Sequence, residues 1–141
     1  LNSTYLSALG GHEERYFAAR AIQLFAKGVP QVYYAGLLAG LNDPEAVART
    51  GEGRAVNRHN YTNLEIEAAL GRPIVGRLLE LIRLRNTHPA FDGLLRVDTD
   101  GGSWLRMSWQ GESATCRLDV DLASGATSIT EGSEMPLVVE T

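Results

Sequence analysis

At Phe91 the hydrophobic rhythm of this sequence changes period, and no single class of secondary structure satisfies both halves. Before it, Phe17, Ala18, Ala21, Ile22, Leu24 and Phe25 recur at helical spacing between Glu13 and Ala26. Beyond it, Arg117, Asp119 and Asp121 alternate with Leu118, Val120 and Leu122, the pattern of a sheet wet on one side. Short β-prone runs at Leu94–Thr99, Ser103–Trp109 and Thr115–Leu122 are parted by turn-like Asp100-Gly101-Gly102 and Gln110-Gly111-Glu112, and Ser124-Gly125 follows the last. The second half therefore reads as an antiparallel β unit.

The first half has a different order. Gly28 stands where a helix end favours positive φ, and Pro30 prevents continuation. The run VPQVYYAGLLAG is apolar without alternation, which predicts a strand buried on both faces over Val29–Ala35, with Tyr33 and Tyr34 as core. Gly36 to Asn63 is then polar for about 28 residues, longer than ordinary connections, and loops of that length are functional or disordered. From about Arg72 to Asn86, Val75, Leu78, Leu79 and Ile82 form a helical stripe opened by Pro73, with Arg83 and Arg85 in the last turn. Helix, buried strand, long loop, helix is the order of an α/β fold.

The 141 residues favour a single domain with a sizeable core. A net charge of −4 with no Lys/Arg cluster argues against nucleic acid and anionic membrane as partners, and no apolar run approaches a membrane span. Cys116 is the only cysteine, so no intrachain disulfide and no cysteine-rich metal site can form. It lies in an alternating strand and reads as packing. The sequence starts at Leu1 without a charged-then-apolar leader, which predicts a cytoplasmic protein and hints at a piece of something longer.

Within the polar stretch, GEGRAVNRHN gathers Arg54, Arg58 and His59 among glycine and asparagine, a supply of donors suited to an anionic or hydroxyl-rich ligand. Arg58 reads as a surface charge or as a fixed donor fork between Asn57 and His59. The carboxylates Asp43, Glu45 and Glu52 read equally as a solvated loop or as chemistry placed beyond the end of a parallel strand. His12, His59 and His88 lack partners at ligand spacing and read as surface or cap residues, so no metal site is expected. No nucleophile elbow, dinucleotide fingerprint or phosphate loop is present.

The run GVPQVYYAGLLAGLNDPEAVARTGEGRAVNRHNYT resembles the sucrose phosphorylase branch of the α-amylase superfamily. NSTYLSAL and LLELIRLRNTHPAFDG are also similar to segments of that family. The resemblance covers residues 1 to 93 well, and the remainder agrees in kind with the family's C-terminal β domain. It implies that residues 1–90 are the closing sector of a (β/α)8 barrel (helix seven, strand eight, acceptor loop, helix eight) and that residues 91–141 are a small antiparallel domain.

Such enzymes cleave an α-glucoside with inorganic phosphate, without a cofactor, and give α-glucose 1-phosphate with retained configuration. Retention takes two displacements by carboxyl groups about 5–5.5 Å apart. The family's nucleophile, acid/base and stabilising carboxylates sit on strands four, five and seven, upstream of everything this chain resembles. The isolated chain is therefore expected to hold no catalytic residue and to be inactive. By resemblance, Arg58 matches the arginine that holds the non-reducing glucose, His59 is its neighbour in the motif, and Asp43 and Glu45 fall in the acceptor loop. Glu45, Ala46 and Val47 stand where sucrose-specific members have Asp, Leu and Tyr, which leaves glucosylglycerol, glucosylglycerate or sucrose 6′-phosphate open as substrates. Arg49 and Arg54 are the nearby basic residues for an acidic acceptor.

Two other readings follow from the same residues. One is a free-standing, non-catalytic module that binds carbohydrate or pairs its exposed barrel faces with a copy, since an unpaired apolar strand edge favours association. The other is a parent enzyme that hydrolyses or transglycosylates instead of using phosphate.

Overall fold

The computed structural model describes residues 2–133. Its helices are α1 (Tyr5–Ala8), α2 (Glu13–Phe25), α3 (Tyr34–Leu37), α4 (Pro44–Thr50), α5 (Asn63–Leu70) and α6 (Pro73–Thr87). Short 3-10 turns occupy Gly53–Asn57 and Pro89–Asp92. Strands β1 (Leu94–Thr99), β2 (Trp104–Gln110), β3 (Thr115–Asp121) and β4 (Thr127–Gly132) form an antiparallel meander in sequence order.

Helices α2 and α6 pack against each other, α2 through the expected stripe and α6 through a face that keeps Val75 and Leu78 but takes Ile74 and Leu81 in place of the exposed Leu79. Phe17, Ala21, Leu24 and Phe25 on one, and Ile74, Val75, Leu78 and Leu81 on the other, are buried in one continuous core. Burial of each large side chain stabilises by about 1.5–3 kcal/mol. Glu13 and Glu14 lie in the first turn of α2, where the helix dipole favours negative charge. The Glu14 carboxylate is held by Arg77 of α6 at 2.7 Å, and the same guanidinium stacks 4.1 Å from the Phe17 ring.

The sheet turns one face to this core. Pairing sets Met107 opposite Leu118, Trp109 opposite Cys116 and Leu105 opposite Val120, so their side chains line up on the inner face. Arg106 and Asp119 are also cross-strand partners, paired at 2.6 Å, and with Arg117 they occupy the outer face. The join between halves is aromatic: Phe25 meets Phe91 edge-on at 5.1 Å, Phe91 meets Trp109 at 5.6 Å, and Trp109 Nε1–H donates to the Phe25 carbonyl at 2.7 Å. Cys116 is fully buried there, and burial pushes its thiol up to about 11, so it is packing.

Three expectations are corrected. Residues 29–35 form no strand: the path is extended to Tyr33 and then enters α3, Val29 is 91% exposed, and Tyr33 and Tyr34 are 54% and 39% exposed rather than core. A strand needs a neighbouring strand to pair with, inside a closed barrel one on each side, and every strand among the described residues is antiparallel and lies beyond residue 93. The polar stretch from Gly36 to Asn63 is not irregular, because α4 and the Gly53–Asn57 turn are folded within it. Finally α5 and β4 are elements that the hydrophobic pattern did not announce. Residues 134–141 of the expected β domain lie outside the described residues.

Candidate functional site

Of the four residues singled out from sequence, Asp43, Glu45 and His59 line one cleft by the N-terminus of α4, while Arg58 lies outside that lining and near Tyr34. Asp43 caps α4: its Oδ1 accepts from the Ala46 amide at 2.8 Å, and Pro44 fills the first helical position. Gly51 ends the helix at φ 72°, the left-handed region that glycine adopts freely. The chain then folds back through Gly53–Asn57, and the Asp43 amide bonds the Val56 carbonyl at 2.7 Å. This return brings His59 onto Asp43.

His59 bridges two carboxylates. Its Nδ1 lies 2.6 Å from Asp43 Oδ2 and its Nε2 lies 3.1 Å from Glu65 Oε1. A carboxylate can only accept, so both ring nitrogens donate when the imidazole is protonated. The hydrogen bond to Asp43, reinforced by Glu65, raises the His59 pKa above its ordinary value against the opposing effect of burial. The reciprocal effect lowers Asp43, through His59 first and the Ala46 amide second. Glu65 is lowered chiefly by the Thr62 amide and hydroxyl, which its Oε2 accepts at 2.7 and 2.8 Å, and then by His59. With the Glu65 amide donating to Thr62 Oγ1 at 3.3 Å, these bonds complete a capping box on α5.

Tyrosines complete the wall. The Tyr34 hydroxyl donates to the His59 carbonyl at 2.9 Å, and the Tyr61 ring meets the imidazole edge-on at 4.6 Å. Hydrogen bonding with Tyr33 and burial push the Tyr34 phenol up to about 12, with Arg58 drawing it the other way. Tyr34 thus stays a donor at neutral pH. At Gly40 the backbone passes so close to the Tyr61 hydroxyl that a Cβ there would overlap it. Ala39, at φ 49°, is held in the left-handed region while Arg72 donates to its carbonyl at 2.9 Å. Asn42 ties the loop to the N-terminal segment, accepting from the Thr4 amide at 2.7 Å.

Arg58 and Glu45 behave differently from this braced pair. Arg58 is exposed, close enough to act on Tyr34, and makes no side-chain hydrogen bond or ion pair among the described residues. Glu45 is exposed and, among the described residues, its ion-pair partner is Arg49, at 4.0 Å, while Arg49 also lies 3.9 Å from Asp43. Asp43, Glu45, Arg49, His59 and Tyr61 line an open cleft of about 410 Å³. A larger cleft, about 710 Å³, lies remote from these groups, between Pro89–Leu94 and Gln110–Ser113, where the backbone at Gly93 closes on the Gln110 carbonyl.

Chemically, the arrangement offers a free guanidinium, a donor-rich rim and carboxylates already engaged with His59. It can hold hydroxyl groups or an anion. It carries no pair of uncommitted carboxyl groups with which to displace at an anomeric carbon. Among the described residues no group of three or more His, Cys, Asp or Glu is placed to hold a metal ion, and no helix is long and apolar enough to cross a membrane. Sequence reasoning missed Glu65, Tyr34 and Tyr61. The signal for Glu65 was Thr62-x-x-Glu65, a capping box ahead of Ile66.

No model of a protein family matches the chain. Individual proteins do. The sucrose phosphorylase of Agrobacterium vitis is 50% identical over 130 residues, which is 92% of this chain and 27% of that protein. The glucosylglycerol phosphorylase of Marinobacter adhaerens is 46% identical over 86% of this chain and 25% of its own length. Among solved structures, the sucrose 6F-phosphate phosphorylase of Thermoanaerobacter thermosaccharolyticum superposes with a TM-score of 0.89 at 45% identity, over 95% of this chain and 29% of that one. The chain thus spans about a quarter of the curated relatives it matches.

Proposed function

The chain is homologous to the C-terminal portion of the sucrose phosphorylases, and from that premise we propose that it is the closing segment of an α-glucoside phosphorylase. In the whole enzyme, residues 1–90 complete a (β/α)8 barrel and residues 91–141 form the terminal domain. The exposed Val29–Tyr33 path then gains, on both flanks, the strand neighbours it lacks here. The enzyme transfers a glucosyl unit: a carboxylate attacks the anomeric carbon, an acid protonates the leaving oxygen, and phosphate releases α-glucose 1-phosphate with retention. Those carboxyl groups belong to upstream polypeptide.

This segment contributes binding. Arg58 holds the non-reducing glucose through a directional, permanently charged fork. Glu45 and Arg49 face the acceptor from the rim, and Asp43 and His59 form the wall between. The observation that carries the reading is the 50% identity over 92% of the chain to one such enzyme; the unpaired Arg58 guanidinium agrees with it. A charged sugar phosphate is retained by a membrane, so a cytoplasmic location fits the product.

The test is an exchange. The Agrobacterium vitis enzyme, with its matching C-terminal stretch replaced by residues 1–141, should release glucose 1-phosphate from an α-glucoside only when phosphate is present, and residues 1–141 alone should release none. A folded exchange enzyme that hydrolyses the glucoside at the same rate without phosphate would overturn the proposal.

A further inference from the structure

We infer that Tyr34, Asp43 and Glu65 act through His59 as a brace that sets where the Arg58 guanidinium stands. The inference rests on the proposed role of Arg58 as the glucose-holding residue. Arg58 follows the Gly53–Asn57 turn with φ −129° and ψ 45°, outside any regular element, and its amide donates to the Ala55 carbonyl at 3.2 Å. No ion pair fixes its side chain among the described residues. What the fold fixes of Arg58 is therefore its backbone, the root from which the guanidinium reaches, and that backbone is held one residue later.

His59 is held at three atoms. Its carbonyl accepts from Tyr34 at 2.9 Å, Nδ1 meets Asp43 at 2.6 Å and Nε2 meets Glu65 at 3.1 Å. Each holder is itself fixed by a separate element: Tyr34 opens α3, Asp43 caps α4 and Glu65 closes the capping box of α5. Three helix N-termini thus converge on the residue beside the free guanidinium. A hydroxyl-binding group has to be placed within about 0.5 Å to be productive, and such placement comes from surrounding residues locked by packing and hydrogen bonds. In this arrangement the carboxylates of Asp43 and Glu65 do not contact sugar. They are positioning residues.

A double-mutant cycle in the full-length enzyme that carries this segment separates positioning from mere loop stability. Tyr34→Phe removes one hold, Asp43→Asn and Glu65→Gln each replace a charge-assisted bond to His59 with a weaker neutral one, and asparagine and glutamine keep the two helix caps. Each should lower kcat/KM for the α-glucoside about ten-fold, with the melting temperature within a few degrees of the parent. In an Arg58→Ala background the same changes should cost less than about two-fold, because the group they position is gone. Equal losses in both backgrounds would overturn the brace and make these bonds a general support of the loop. A crippling Arg58→Ala beside near-normal brace variants would overturn it too, while leaving the role of Arg58 intact. A loss below about two-fold for Arg58→Ala itself would instead sink the proposed function of Arg58 and the brace with it.

Discussion

Two stretches of this molecule, residues 94–132 and residues 26–61, must both find partners for their backbone amides, and they do so differently. The first satisfies its interior with its own ladders, β1 to β4 each pairing with the next in sequence. The second has no ladder. Short helical turns pair part of it, the Asp43 amide reaches the Val56 carbonyl, and side chains add the rest: Asp43 for the Ala46 amide, Arg72 for the Ala39 carbonyl, Tyr34 for the His59 carbonyl. Among the described residues each strand of the sheet finds its partners within this chain. The helical half is complete on the face toward the sheet, where Phe25 and Leu78 are buried, and open on the other, where Val29, Tyr33 and Leu64 face solvent. An exposed apolar extended run marks a surface built against something larger.

The comparison breaks most readily at its extremes. Leu118, fully buried on β3, should cost about 2–5 kcal/mol when changed to alanine, and Val29→Ala should stay within about 0.5 kcal/mol in this chain. Urea unfolding of the 141-residue chain measures both. A Val29→Ala loss comparable with Leu118→Ala would show that the open path is already packed. In the whole enzyme the ranking should tighten, since Val29 is then proposed to be covered.

A pair of single hydrogen bonds sharpens the point at smaller scale. Trp109 Nε1–H to the Phe25 carbonyl is buried, so Trp109→Phe leaves that carbonyl unpaired and should cost about 1–3 kcal/mol. Tyr34→Phe removes a bond of similar length at a more exposed position, where water replaces it, and should cost less than about 0.5 kcal/mol of stability. Chemical denaturation of the two variants side by side decides it. Equal losses would mean that the site wall is as dry as the core.

The same contrast explains what could be read from the amino acids alone. Helices α2 and α6 and strands β2 and β3 were legible because each carries its own periodicity and is buried by partners within the chain, while the exposed β1 was legible from its β-prone residues between turns. The run at Val29–Ala35 was equally apolar, yet its periodicity describes a burial that this chain cannot supply. Helix α5 was missed because Leu64 and Leu70 are exposed and no stripe faces a core; only Thr62 and Glu65 marked its start. At the site, Arg58 and His59 were legible as polar residues in a glycine-rich stretch, and Asp43 as a carboxylate of the same long polar segment. Their connection to Glu65 and Tyr34 was not, because it depends on the fold-back at Gly51 and Gly53–Asn57.

The smallest expected effect concerns protons, and it separates the two stretches by pH. The raised pKa of His59 means that its contribution to the brace is fully present below its ordinary value of 6.5 and is lost as pH rises through the raised one. Asp43 and Glu65 are lowered, so their contribution is present above their ordinary 3.8 and 4.5 and is lost as pH falls through the lowered values. The brace is therefore complete between the carboxylate range and the ordinary histidine value. Because the His59 and Glu65 side chains are 30% and 46% exposed, solvent screens the interaction and the effect is local, not global. Amide exchange of Ala46, after correction for the intrinsic rate, should be slowest in that window and should quicken on either side of it. The Met107 amide, in the ladder of β2, should show no such window. A His59 ring that titrates at or below 6.5 by NMR would break the contrast, since the bridge between the two carboxylates would then contribute nothing to holding the charged form.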